Sequence, residues 1–278
     1  ANCLEHGPRR RQCAVIPNFK QRKRGLTMIA IAIDGPSGAG KSTLSRALAE
    51  ALGYLYVDTG ALYRAIGLAA LRAGVPTKDA AALQALLPAI TLELRYVDGE
   101  QREGRLSAEP SRSDGEPDAA RTAPGREQRV FLGDEDVSDA IRTEAVGMAA
   151  SDVSAHQPVR DFLLETQRRL ARENNVIMDG RDIGTVVLPD AGIKIFLTAT
   201  AEERAARRTR QLQEKGEAAD YATVLADVKL RDYNDSHRAA APLKQADDAV
   251  LVDSTGESFD ESLARLLKLI KEKRGAQQ

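Results

Sequence analysis

The chain of 278 residues is poor in cysteine, and its two cysteines, Cys3 and Cys13, both fall in the first segment, so no disulfide framework can staple the globular part. Long apolar runs are missing too, which excludes a membrane-spanning helix, while a charged content of 29% is ordinary for a soluble domain. Net charge is almost absent: 40 basic and 41 acidic residues leave −1. No global field therefore steers the chain onto nucleic acid, and any anion binding must be local. No internal repeat is visible. The length suits one large domain, or one domain carrying an insert.

The opening segment has what the rest balances out. Arg9, Arg10, Arg11, Lys20, Arg22, Lys23 and Arg24 stand there against one acid, Glu5. A polyanion-binding tail or a transit peptide fits the charge, but the segment has neither serine nor an apolar core. Charge runs mostly mean solvation, and residues 1–27 are expected to form a disordered basic extension. Met28 stands directly before the first apolar run, which fits a translation start there and makes the preceding residues dispensable.

From Met28 the pattern is α/β. MIAIAI, ending at Asp34 and Gly35, is a short continuous apolar run of the kind buried on both faces of a parallel sheet. Leu44, Leu48 and Leu52 then recur at helical spacing, with Gly53 as C-cap. A second strand over Tyr54–Val57 leads to a turn and helix in DTGALYRAIGLAALRAG, and Thr77 is the expected N-cap of the next helix. TLELRYV and QRVFLG alternate as the strands of a hairpin with one wet face. Between them, Gly99–Gly125 holds hardly any large apolar residue and reads as a disordered loop. Val159, Phe162, Leu163, Thr166 and Leu170 share a helix face within Pro158–Glu173, before the buried strand VIMDG. KIFLTAT and AVLVDST repeat that strand type, and each precedes an expected capping box, Thr200 with Glu203 and Ser258 with Glu261. Strands alternating with helices imply a parallel sheet covered on both sides.

Chemistry enters with DGPSGAGKST. Gly35-x-x-x-x-Gly40-Lys41-Ser42 follows a strand and opens a helix, the setting in which a glycine-rich loop wraps its N–H groups around phosphate oxygens. Gly35, Pro36, Ser37, Gly38, Ala39, Gly40, Lys41, Ser42 and Thr43 are the expected ATP-binding stretch, with Lys41 reaching the β/γ-phosphates and Ser42 binding Mg²⁺. This loop specifies a nucleoside triphosphate, not a reaction. A second anionic substrate needs cations of its own, and four segments supply them beside glycines or aspartates. They are VDTGALYRA around Arg64, AASDVSAHQPVR around Ser151 and Arg160, MDGRDIGT around Arg181 and Asp182, and RDYNDSHRAAAPL around Arg231, Asp235 and Arg238.

GPSGAGKST, DTGALYR, DGRDIGT and RDYNDSHRAAAPL, in this order and spacing, resemble bacterial cytidylate kinase from about Ile29 to the C-terminus, apart from the loop after Gly99. The resemblance implies a P-loop nucleoside-monophosphate kinase: an α/β fold with a three-layer core around a parallel sheet, a small α+β monophosphate-binding insert and a short lid. Over this chain that corresponds to core at 28–90 and 139–278, an insert at 91–138 and a lid at about 204–220. Carried over by motif, Thr59, Arg64, Arg181 and Arg238 are expected at the acceptor phosphate, Ser151, Arg160 and Asp182 at the cytosine, and Arg231 with Asp235 at the sugar. A carboxylate with neighbouring donors suits the edge of cytosine, which presents an amino group beside ring and carbonyl acceptors.

The lid candidate, ERAARRTRQLQEKGEAADY, carries Arg204, Arg207, Arg208 and Arg210 before Gly216. Such a run is ordinarily a solvated helix face; the resemblance implies instead that Arg208, and with it Arg204, closes over the ATP phosphates, giving Lys41, Arg181, Arg238 and Arg208 as the catalytic set. His156 and His237 are assigned no role. The reading is an ATP- and Mg²⁺-dependent kinase of CMP and dCMP, cytoplasmic and monomeric, with small-molecule substrates and neither nucleic acid nor membrane as partner. Rival readings are a P-loop kinase for UMP, AMP or a metabolite alcohol, a nucleotide-hydrolysing switch, and nucleic-acid binding through the basic arm.

Overall fold

The computed structural model describes residues 28–98, 126–214 and 216–276. The basic arm and the segment 99–125 lie outside them. Five short apolar strands, β1 (Ala30–Asp34), β2 (Leu55–Asp58), β6 (Val176–Gly180), β7 (Ile193–Thr198) and β8 (Val250–Asp253), form one sheet in the order β2-β6-β1-β7-β8, with all four pairings parallel. β1, β6 and β7 are covered on both faces and need no alternation, which is why they read as unbroken apolar runs, whereas β8 at the edge of the sheet buries only Val252 and leaves Leu251 exposed, unlike the fully buried strand expected there. On one face Ile31, Ile33, Ile177 and Ile195 pack with Leu44 and Leu48 of α1 (Lys41–Leu52) and Leu266 and Ile270 of α8 (Phe259–Gly275). On the other, Ala32 and Met178 meet Leu170 and Ala171 of α5 (Gln157–Glu173). Helix, sheet and helix make the three layers.

The hairpin forms as its alternation requires: β3 (Leu92–Asp98) and β4 (Arg126–Leu132) pair antiparallel with Leu92 opposite Leu132, and a two-residue β5 (Glu135–Asp136) adds a third strand. Helix α2 (Thr59–Arg72) lies beneath this sheet, burying Ala61 and Ala65 against Val130, Val137 and Ile141. Its other side meets α4 (Glu144–Ser154), a helix the sequence reading did not mark, and the two approach closely at Gly67. A Cβ there would stand 3.0 Å from the backbone nitrogen of Ala150.

Local signals fared unevenly. Gly53 ends α1 in the left-handed conformation, φ 65°, as expected. Thr77 does not cap α3 (Ala80–Leu86). Asp79 does, accepting from the N–H groups of Ala81 and Ala82, while the Thr77 hydroxyl is drawn to Asp152 at 2.7 Å. Ser258 and Glu261 form the full capping box of α8. Thr200 accepts from Glu203 N–H at the start of α6 (Ala201–Glu214), but its own N–H is taken by the Thr255 hydroxyl, so Glu203 turns its carboxylate to Arg207 and the box stays half-made. Helix α7 (Tyr221–His237) packs back against α6 after the turn at Gly216, φ 78°.

Candidate active site

Every strand of the parallel sheet runs toward the same edge, and at its C-terminal ends opens a cleft of about 570 Å³. The sheet's centre is β1, where the chain crosses from one half of the sheet to the other, the place at which open α/β sheets bind ligands. The glycine-rich loop sits there. Gly35 has φ 150° and its backbone passes so close to β7 that a Cβ would lie 1.9 Å from the carbonyl oxygen of Leu197. Only glycine fits. Gly38 and Gly40 are left-handed as well, and α1 begins at Lys41 with no side chain capping it, so its first N–H groups stay open to a ligand. Ser37, Gly38, Gly40, Lys41, Ser42 and Thr43 line the cleft; Gly35, Pro36 and Ala39 do not, and shape the loop from behind. The Pro36 carbonyl accepts from Lys41 Nζ at 2.7 Å. Burial holds the Lys41 ammonium well below the ordinary lysine range, reinforced by the charge of Arg181.

Beneath the loop, Asp179 at the end of β6 gathers three hydroxyls. Ser42 Oγ and Tyr56 Oη donate to its carboxylate at 2.7 and 3.2 Å, and Thr59 Oγ1 to its backbone carbonyl at 2.7 Å. Burial, with Asp58 alongside, pushes the Asp179 carboxyl up to about 6. Thr59 therefore spends its hydroxyl proton on the sheet edge, and faces the cleft as the first residue of α2.

All nine residues expected on the acceptor side, Thr59, Arg64, Ser151, Arg160, Arg181, Asp182, Arg231, Asp235 and Arg238, line this same cleft, although they come from five helices and loops. Arg160 and Asp182, 5% and 4% exposed, are ion-paired, and Arg160 also donates to the Ser154 carbonyl at 3.1 Å. Arg238 stands 3.7 Å from the second oxygen of Asp182. Burial still leaves the Asp182 carboxyl above its ordinary value despite Arg160, Arg238 and Arg181. Arg181 donates through Nε to Asp235 at 2.8 Å. Burial raises Asp235, but the combined pull of Arg181, Arg231 and Arg238 carries it below the usual carboxylate range. The loop after α7 folds over to meet this cluster. Ala241 takes φ 46°, which a residue with a side chain rarely adopts, and its carbonyl accepts Arg238 Nε at 2.8 Å.

The cations are in surplus. Arg64, Arg231 and Arg208 form no ion pair or hydrogen bond among the described residues, and Arg231 Nε and one terminal nitrogen of Arg238 are buried without an acceptor. Burial and mutual repulsion hold Arg64, Arg231 and Arg238 below the ordinary arginine value. Such donors call for a multivalent anion.

The arginine run on α6 divides by geometry. Arg208 is exposed and faces the cleft. Arg204 is buried, bonding the carbonyls of Ala199 and Ser37 and gripping Asp232 with both terminal nitrogens. Four of its five N–H donors are thus engaged, so Arg204 buttresses the loop from α6 here while still lining the cleft. Several lining residues escaped the sequence reading. Asp58 and Tyr63 lay within quoted motifs, and Asp179 at the end of a quoted strand. Ser154, which accepts from Arg238 at 3.3 Å, lay within AASDVSAHQPVR, whereas Arg142, which bonds Asp58 at 3.3 Å, had no local signal. On the far wall, Gln211 lay within the lid candidate, while Glu257 and Phe259 were not marked as site residues.

A family model described as cytidylate kinase matches residues 31–272. The chain belongs to the cytidylate kinase family. The cytidylate kinase of Caldicellulosiruptor bescii is 46% identical over 88% of this chain and 96% of that protein, and that of Pasteurella multocida 43% identical over the same shares. The cytidylate kinase of Geobacter sulfurreducens is 44% identical over 91% of this chain and 96% of its own length. Among solved structures, shikimate kinase from Bacteroides thetaiotaomicron covers 88% of this chain and 99% of its own at 14% identity and a TM-score of 0.40. As a cytidylate kinase family member the chain is a nucleoside monophosphate kinase of P-loop type. Among the described residues no helix is long and apolar enough to cross a membrane.

Proposed function

We propose that the protein transfers the γ-phosphoryl group of ATP to CMP or dCMP, giving ADP and CDP or dCDP, by in-line displacement without a covalent enzyme intermediate. The observation that carries this is the set of unsatisfied buried guanidinium donors facing a phosphate loop across one cleft. A switch that hydrolyses nucleotide needs no second anion site. In this reading the loop and Lys41 hold the β/γ-phosphates, while Arg181, Arg238, Arg64 and the N-terminus of α2 at Thr59 hold the acceptor phosphate and spread charge from the transferring group. Asp235, by fixing Arg181, serves positioning as well as contact with the sugar beside Arg231.

Asp182 carries the base reading. Ion-paired to Arg160, it retains lone pairs for a cytosine amino group, and Ser151 and Arg160 offer donors to the ring and carbonyl acceptors. Uracil presents a carbonyl where cytosine has the amino group, and leaves a buried carboxylate unmatched. Mg²⁺ suits the oxygen pair formed by Ser42 and Asp179. Among the described residues no cluster of three His, Cys, Asp or Glu cages a metal, and Mg²⁺ bound through one or two protein oxygens and phosphates needs none. When bound there it supplies charge neutralisation between donor phosphates. We further assign the small antiparallel sheet and its surroundings to the monophosphate-binding insert, and about 204–220 to a lid with Arg208 reaching inward, in a cytoplasmic monomer. ADP release coupled to CMP, dCMP, UMP and AMP tests the reading. Preference for CMP and dCMP is expected; preference for UMP or AMP, or ATP consumption independent of acceptor, overturns it.

A further inference from the structure

Asp182 does not sit on a regular element. It directly precedes a single wide π-helical turn, Ile183–Val187, in which Val187 N–H reaches back to the Asp182 carbonyl at 3.1 Å and Leu188 N–H to that of Ile183 at 2.7 Å. Rare turns of this kind persist when surrounding groups hold them. Here the holding groups are identifiable. At the leading end, the carboxylate of Asp34 accepts from Ile183 N–H at 2.8 Å with one oxygen and from Gly184 N–H at 2.7 Å with the other. At the trailing end, Arg168 on α5 donates to the carbonyls of Val187 and Val186, both at 3.0 Å. Gly184 has no side chain, which leaves room for this approach: a Cβ there would stand 3.4 Å from Asp34 Oδ2 and 3.1 Å from Lys194.

Asp34 is the last residue of β1 and the first of DGPSGAGKST, so sequence alone places it with the donor loop. Its side chain nevertheless points to the other substrate's half, across 149 residues of chain. We propose that Asp34 is a positioning residue for base selection: with Arg168 it fixes the π-turn, and thereby the Arg181–Asp182 pair, at the register in which the base and acceptor phosphate are held. This rests on the assignment of Asp182 to the base. The carboxylate is suited to the task because it satisfies two adjacent N–H groups at once, whereas an asparagine turns its amide nitrogen toward one of them. Burial raises the Asp34 carboxyl to about 6, and the two backbone donors oppose that rise. Arg168 lies on the same helix as Arg160, two turns away, so α5 supplies both the partner of Asp182 and the clamp on the turn behind it.

The test is steady-state kinetics of Asp34→Asn, Arg168→Met and Asp182→Asn with CMP and UMP, each with a separate determination of the KM for ATP. We expect the KM for CMP to rise about tenfold in Asp34→Asn and about threefold in Arg168→Met, as for a lost hydrogen bond to a charged group and a weaker one. The CMP-over-UMP preference should shrink in both while the KM for ATP stays within about twofold. A rise in both KM values together, or an unchanged CMP-to-UMP ratio in both variants, overturns the proposal and makes Asp34 a support of the donor loop. Should Asp34→Asn not fold, Arg168→Met, remote from that loop, decides by the same ratio. If Asp182→Asn itself leaves the ratio unchanged, the base assignment fails and the proposal with it. If Asp182→Asn shifts the ratio and the other two do not, the base assignment stands and only the proposal fails.

Discussion

The two walls of the cleft are built on different principles. In the proposed reading the donor wall is a contiguous ten-residue stretch that offers mostly backbone N–H groups, placed by glycines at Gly35, Gly38 and Gly40. The acceptor wall is assembled from side chains at Arg64, Ser151, Arg160, Arg181, Asp182, Arg231, Asp235 and Arg238, spread over 175 positions of chain. A phosphate chain looks much the same in every nucleotide, so backbone suffices to hold it. A base must be told from its near-isosteres, and that takes directional side chains held by partners. The donor wall should therefore fail through turnover, and the base-facing part of the acceptor wall, Ser151, Arg160 and Asp182, through selectivity.

The largest effect should come from Lys41→Ala. Its charge acts most fully on the transferring group, so we expect turnover to fall at least about a hundredfold with the KM for CMP changed less than about threefold. Single-turnover kinetics with a CMP titration separates the two, and a CMP effect as large as the turnover effect would break the division between walls. Next comes Asp182→Ala, expected to lower kcat/KM for CMP by about 2–5 kcal/mol, as for a desolvated charged partner, and for UMP far less. Arg181→Ala, its neighbour, should depress both substrates alike, and a change in ratio there would exchange the two roles.

A smaller effect is expected on stability. The Asp34 carboxyl is raised from 3.8 to about 6 by burial, so the folded state binds its proton more tightly than the unfolded chain does. Its contribution to stability is full below pH 4, falls as pH rises through 6, and is constant above; the span is on the order of 3 kcal/mol, two pKa units at about 1.4 each. Denaturant melts of the wild type and Asp34→Asn between pH 4 and pH 8 should differ in slope in that window, the wild type losing more as pH rises. Parallel curves would show that the two backbone donors cancel the burial. The smallest effect should follow removal of residues 1–27 together with shortening of 99–125 to a tight turn. Neither segment has the apolar content to build either wall, so CMP phosphorylation and the cooperative melt should persist, and loss of either measurement would show a contribution from one of them.

What was legible in the chain follows the reach of each interaction. The strand runs, the Gly53 cap, the box at Ser258 and the whole glycine-rich loop depend on neighbours within about five residues, so their signatures are written in consecutive letters. The candidates for the acceptor side were marked by arginines beside glycines and aspartates, but their separate roles were expected only through the family resemblance, because no local period ties Arg64 to Arg238. Misreadings occurred where a local partner was outcompeted from afar: Thr77 by Asp152, Thr200 by Thr255.

By itself, then, the sequence determined the order of the parallel strands and of most helices between them, the phosphate loop and the neutrality that makes anion binding a local matter, since burial patterns and backbone permissiveness are properties of short stretches. Only the tertiary structure decided that β1 sits at the centre of the sheet, which brings the ends of β2 and β6 to the same edge as the loop. It alone also decided that Arg231 and Arg238 each bury a nitrogen with a donor to spare, that Arg204 is a strut, and that the Asp34 carboxylate reaches across to Ile183 and Gly184. The reason is physical: the energy of a charged side chain is set by which groups surround it and by how much water they exclude, and neither is settled until segments more than a hundred residues apart have packed together.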